Sequence, residues 1–339
     1  METNLLLPST TRMTMHNDWK RNAEDAVLMI EQPKKRSPFI EANTTGVSLN
    51  HLRNECIIPT FAKDNEVCIS HQSFIESVYE ATRDFYQGET VEIPSIRVSH
   101  IIKGRIPEAI NKRVDQLLDS DKTMYYERMI FNIEIPTIHR EVNGNHLNLS
   151  ITGCKSYGRD NLSGRMTAQK FSMAVGFLNL ACTNQCLSTD GYKEEVKATS
   201  PSDLYQYTLD LFKQYNVAKH IHLMQSLGDT MLTEHQFCQI LGRMRLYNYL
   251  PQHQQRELPR LLITDSQINN VARQYIHDDN FAANNGEISM WKFYNLITGA
   301  NKSSYPDTFL SRSVNATEIC EGLTQALNQK DQAYSWFIQ

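Results

Sequence analysis

A chain of 339 residues, 40% hydrophobic and 21% charged, can bury a core without staples, which excludes collagenous, disulfide-scaffold and disordered classes. Its formal net charge of -4 supplies no protein-wide attraction to nucleic acid or anionic membrane, so any such binding has to come from a local patch. Seven cysteines, odd in number and scattered, make no disulfide framework and fit a reducing cytoplasm.

The opening METNLLLPST has no basic stretch and only a three-leucine run, too short for a signal segment or a span, so a cytoplasmic protein without membrane contact is expected. Residues 1–55 mix polar and turn-forming types, with the basic run Lys34-Lys35-Arg36 and one weak helical stretch, Trp19 to Ile30, and are expected to form a mobile N-terminal arm. Residues 56–200 are expected to build a mixed sheet core, and residues 201–339 a helical part packed on it.

Phe74, Ile75, Val78, Tyr79, Thr82 and Phe85 recur at helical spacing and stop at Gly88, with Ser73 and Glu76 fitting a capping box. The period then shifts toward two: Ile93, Ile96, Val98 and Ile101 read as a strand. A short helix is expected over Pro107 to Leu118, because proline is tolerated in a first turn. Met124 to Ile138 and Leu147 to Tyr157 are strand candidates, joined through Asn143-Gly144, the pair that best tolerates positive φ in a two-residue hairpin. Lys170 to Leu187 is apolar almost throughout, as strands buried on both faces are. After Pro201 the pattern is helical: 204–227, a second helix around Phe237 to Met244 ending near Pro251, then 265–277, 289–299 and 316–328. Helix, then strands, then helices gives an α+β fold: a central, mainly antiparallel sheet with an N-terminal helix and a C-terminal helical layer.

Chemistry-bearing motifs are scarce. Gly153-Cys154-Lys155-Ser156 has a Lys-Ser pair but lacks the glycines of a phosphate cradle. Cys182 and Cys186 lack two further ligands for zinc, and His220 and His222, two apart on a helix, point to different faces. The loop Phe281 to Lys292 has no carboxylate at either end of a calcium motif. Glu127 and Glu134 fall on opposite faces of a strand and form no acid–base dyad. No catalytic residue, cofactor or metal ligand is therefore expected. What remains is basic and aromatic texture at strand ends: Arg97, Lys103, Arg105, Lys155, Tyr157, Arg159 and Arg165 could track a phosphate backbone while tyrosine stacks on bases.

The segments Ile93 to Ile106, Met124 to Pro136 and above all Leu147 to Gly191, with Asp160-Asn161-Leu162 and Cys182-Thr183-Asn184, resemble an uncharacterised family of plasmid- and phage-like proteins from bacterial mobile elements. The likeness extends more weakly to Trp291 to Thr298 and Ser335-Trp336-Phe337, and departs from the broader group at Gln185, where a glycine is usual. It implies a setting and assigns no activity or residue role. Three central strands followed by a long helix are also similar to the core of phage single-strand annealing proteins, an analogy of fold alone. The expectation is a non-enzymatic, nucleic-acid-associated accessory protein that binds or anneals single strands. The alternatives are a protein-interaction or assembly component, docking through Lys34-Lys35-Arg36 and the carboxy-terminal helices and forming a homo-oligomer or holding a partner, and an enzyme with an unrecognised site.

Overall fold

The computed structural model describes residues 37–56, 68–160, 168–281, 286–330 and 332–339. Lys34-Lys35-Arg36, the stretch Trp19 to Ile30, Arg165 and Asn284-Asn285 lie outside the described residues. Residues Phe39–Gln339 form one compact unit.

Its frame is a six-stranded antiparallel sheet built from β1 (Thr45–Val47), β2 (Ser95–Val98), β5 (Arg128–Val142), β6 (Asn145–Ser156), β7 (Gln169–Asn179) and β8 (Asn184–Ala198), in the order β1-β2-β5-β6-β7-β8. The α+β architecture is thus as the sequence order implied. Val142 pairs with Asn145 across a two-residue turn in which Asn143 and Gly144 take φ of 48° and 77°, the conformation that a mirror-image hairpin turn demands. The β5–β6 register shifts between Ile135 and His139, where Pro136 has no N–H to give the ladder.

Both faces of the sheet are covered. Alternation sends Met129, Phe131 and Ile133 of β5 and Phe171, Met173 and Val175 of β7 into one cluster, under α2 (His71–Phe85) and α3 (Pro201–Gln214). Phe74 of α2 meets Phe131 edge-on at 5.2 Å directly over Gly153, where a Cβ would strike both rings. On the opposite face, Ile130, Cys154, Ala174, Leu178 and Leu187 pack under Phe309, Leu310 and Val314 of α9 (Pro306–Leu327).

The remaining helices are α1 (Leu49–Asn54), α4 (Val217–Asp229), α5 (Glu234–Tyr247), α6 (Gln252–Arg256), α7 (Asp265–His277) and α8 (Met290–Asn301), with a small pair β9 (Met231–Thr233) and β10 (Glu287–Ser289) between them. Amide side chains bolt them to the sheet: Trp291 Nε1 donates to Asn145 Oδ1 at 2.8 Å, and Asn184 Nδ2 to the Asn295 carbonyl at 2.8 Å.

Four expectations change. The segment 107–118 is not a helix; 3-10 turns occupy Pro107–Ala109, Val114–Gln116 and Asp119–Asp121. The stretch 204–227 is two helices, broken where the Asn216 side chain accepts from Lys219 N at 2.9 Å and caps α4. The cap of α2 is Ser70, while Glu76 pairs with Arg53 at 2.6 Å. Within the expected N-terminal arm, Phe39 and Ile40 are core residues and β1 joins the sheet.

Two imidazoles are sealed into this body. Burial holds His71 at about 3 and His220 at about 4, below the ordinary 6.5. Both rings stay neutral in the fold, so between pH 6.5 and about 4 the unfolded chain binds protons that the folded chain refuses. Stability is expected to fall as the pH drops through that window, by about 2 kcal/mol per histidine at pH 5. Denaturant unfolding at pH 7 and pH 5 measures this, and His220→Gln should flatten the pH slope; an equal slope in that variant refutes the assignment.

Candidate functional site

With both sheet faces closed, attention falls on a two-stranded ribbon outside the six-stranded sheet, adjoining β2 and β5 in the chain and seated on the body through buried Thr123, Tyr125 and Tyr126. Its strands are β3 (Ile101–Arg105) and β4 (Lys122–Tyr126), paired from Ile101 opposite Tyr126 to Arg105 opposite Lys122. Direct antiparallel partners share a face and alternate residues swap faces. One face therefore carries Ile101, Lys103 and Arg105 with Lys122, Met124 and Tyr126, and the other carries Ile102 and Gly104 with Thr123 and Tyr125.

Aromatic side chains anchor the root. Tyr126 OH meets His51 Nε2 at 2.8 Å, and Tyr125 packs edge-on against Tyr157 with ring centroids 5.9 Å apart. The tip is braced by one carboxylate. Asp121 takes Lys112 Nζ on both oxygens at 2.9 Å and the Leu118 N–H at 2.8 Å, and these bonds hold its carboxyl below the usual range. Arg105 Nη1 donates to the Lys112 carbonyl at 2.6 Å, tying the strand to the tip. Around this brace Ile110, Val114 and Leu118 are 64%, 77% and 63% exposed, an outlay of aliphatic surface that a monomer has no internal use for.

The cations chosen from sequence divide into groups. Lys103 is exposed and forms no ion pair among the described residues, and Arg105 bonds backbone carbonyls, so neither charge is cancelled by a carboxylate. Lys122 joins them on the same face, with exposed Asp119 beside it at 2.7 Å. Sequence reasoning missed Lys122, although the period-two register that groups it with Arg105 was the available signal. Arg97 lies on β2 inside the sheet, its guanidinium bonded to Thr44 Oγ1 at 2.8 Å and to the Thr44 carbonyl at 2.6 Å.

Lys155 and Tyr157 are corrections. Both are buried, and the Lys155 ammonium reaches Asp160 Oδ2 at 3.0 Å and Gln169 Oε1 at 3.1 Å, 4.0 Å above the Phe171 ring. Burial pulls Lys155 below its ordinary range while Asp160 opposes the shift. A side chain enclosed in this way holds strands together and presents nothing to a phosphate. Arg159 faces Glu194 and Glu195, each at 3.8 Å, which offset its charge.

Among the described residues no helix is long and apolar enough to cross a membrane, and no group of three or more His, Cys, Asp or Glu is placed to hold a metal. The cysteines are free thiols.

A six-stranded sheet shielded on both sides, with an external two-stranded ribbon, defines the class of protein. Residues 22–338 match the family model described as "Domain of unknown function, B. Theta Gene description (DUF3871)", and the chain belongs to that family. The resemblance to a family of unassigned activity holds at that level. No curated protein and no solved structure matches the chain.

The enclosed ion pair makes a direct prediction. Lys155→Ala leaves Asp160 buried and uncompensated and should cost about 3–5 kcal/mol, whereas Lys155→Met combined with Asp160→Asn should recover most of it. Denaturant melts of the three proteins decide this; a loss below about 1 kcal/mol in the single variant would place the pair in water.

Proposed function

We propose that this chain is a nucleic-acid-associated accessory protein that holds a single strand along the ribbon face carrying Lys103, Arg105 and Lys122. The observation that carries the reading is their shared face on an element outside the sheet, with Lys103 and Arg105 free of carboxylate partners. A chain of net charge -4 needs such a local patch, since its overall field repels phosphate. Met124 opposite Lys103, and Ile101 at the root of the same face, give bases an apolar surface to lie on. The mobile-element setting comes from the plasmid- and phage-like resemblance, and an annealing role from the fold analogy.

Fluorescence polarization of a labelled single-stranded oligonucleotide tests it. Binding is expected at low ionic strength and should weaken log-linearly with salt, because neutralised phosphates release counterions. Lys103→Glu with Arg105→Glu should weaken it at least tenfold while leaving the circular dichroism unchanged. No polarization change with micromolar protein, or equal binding by the double variant, ends the proposal.

A second reading rests on the apolar tip: Ile110, Val114 and Leu118 join copies of the chain into an oligomer. The tip's charges are answered within it, Lys112 by Asp121 and Arg113 by Asp115, so two tips do not repel each other. Light scattering should find an oligomer that Ile110→Asp with Val114→Asp dissociates, and a monomeric wild-type chain excludes this reading.

A further inference from the structure

The turn end of the β5–β6 hairpin carries two histidines that neither the sheet core nor the ribbon uses. Past the register shift between Ile135 and His139, His139 sits opposite Asn148 and Glu141 opposite His146. Direct partners share a face and alternate residues return to it, so His139, Glu141 and His146 stand together, while Val142 and Leu147 on the reverse side enter the core. An unshifted ladder would set Ile138 opposite His146 and turn His139 to the other face. All three side chains are open to solvent: His139 and Glu141 are exposed, and His146 is 40% exposed. The two imidazoles stack with ring centroids 4.7 Å apart and planes 30° from parallel.

Hydrogen bonds fix where each ring hydrogen lies. His139 Nδ1 is 3.1 Å from the Pro136 carbonyl oxygen, and His146 Nδ1 is 2.6 Å from Glu141 Oε1. Carbonyl and carboxylate oxygens only accept, so both Nδ1 atoms carry the hydrogen and donate it. In the neutral rings both Nε2 atoms therefore hold bare lone pairs, and neither has a partner among the described residues. A carbonyl or carboxylate behind Nδ1 is the arrangement that orients a metal-bound histidine and makes its Nε2 more basic.

We propose that His139 and His146 chelate one divalent ion of the imidazole-preferring kind, Cu2+, Ni2+ or Zn2+, through their Nε2 atoms. Imidazole bonds to such ions are about 2.0–2.1 Å long, so the stacked rings have to pivot until both Nε2 atoms reach one point, and their exposure leaves them room to do so. Glu141 holds His146 in the ligating tautomer. No third side chain completes the set among the described residues, so water fills the other positions. Mg2+ and Ca2+ are disfavoured, because they take oxygen ligands. A bound ion ties β5 to β6 beside the turn whose Asn143 bonds the Met224 carbonyl of α4, and so stiffens that end of the sheet.

Calorimetry on the full chain without an affinity tag, titrated with NiCl2 and with MgCl2, tests this. Saturable one-to-one Ni2+ binding is expected, with no response to Mg2+. His139→Ala and His146→Ala should each weaken Ni2+ by about tenfold or more, and Glu141→Gln by about tenfold, with circular dichroism unchanged. His100→Ala, which removes an exposed imidazole on another segment, should bind like the wild type. Ni2+ should also raise the melting temperature of the wild type and leave that of the double variant His139→Ala with His146→Ala where it was. The proposal is overturned by no saturable Ni2+ response, by either His139→Ala or His146→Ala binding like the wild type, or by Mg2+ binding as tightly as Ni2+.

Discussion

The long strands β5 to β8 are sandwiched, with α2 and α3 on one side and α9 on the other, and this enclosure governs the rest of the molecule. A sheet covered on one side can release polar side chains to water, but one covered on both has to satisfy them internally. Asn132 therefore donates to Thr152 Oγ1 at 2.8 Å, Thr152 to Gln185 Oε1 at 3.0 Å, and Gln185 Nε2 to Ser150 Oγ at 3.1 Å, a chain of amides and hydroxyls crossing β5, β6 and β8. The Lys155–Asp160 pair belongs to the same economy of enclosure. Its partners were assembled for packing, which is why a lysine that looks like a phosphate contact in sequence is withdrawn from solvent.

Most of the sheet was legible in the sequence because its signals are local. Alternation in Leu147 to Tyr157, the continuous apolar run after Lys170 and the Asn143-Gly144 pair each report on a few neighbouring residues, and each corresponds to an observed element. The misread helix over 107–118 has a physical cause. Ile110, Val114 and Leu118 recur every fourth residue, as a helix would space them, yet all three are exposed and no layer exists for such a stripe to face. Periodicity infers a helix from the core it would contact, and where the core is missing the chain settles into 3-10 turns around Asp121. The candidate site was less legible still. The shared face of Lys103, Arg105 and Lys122 needs the pairing of β3 with β4, which joins positions about twenty apart in the chain through a segment without regular periodicity.

Packing and charge are divided between different parts of the protein. Exposed Lys103 and half-buried Arg105 lie on the ribbon without an ion pair among the described residues, and elsewhere Asp190 of β8, Asp229 of α4 and Glu318 and Glu321 of α9 likewise have none. A modest net charge of -4 thus conceals two surfaces of opposite character. Arg97 and Arg105 show how this is arranged locally: their guanidinium groups are held by carbonyl and hydroxyl oxygens, which fix geometry without cancelling charge.

The hairpin turn also serves the helical layer. Asn143 Nδ2 donates to the Met224 carbonyl of α4 at 2.8 Å, and its carboxamide occupies the space that a side chain at Gly228 would need. As a turn former, aspartate is an ordinary substitute for asparagine ahead of glycine. In this protein that exchange would set a carboxylate oxygen against a carbonyl oxygen, so evolutionary drift that is silent in an isolated hairpin is barred here by a helix more than seventy residues away.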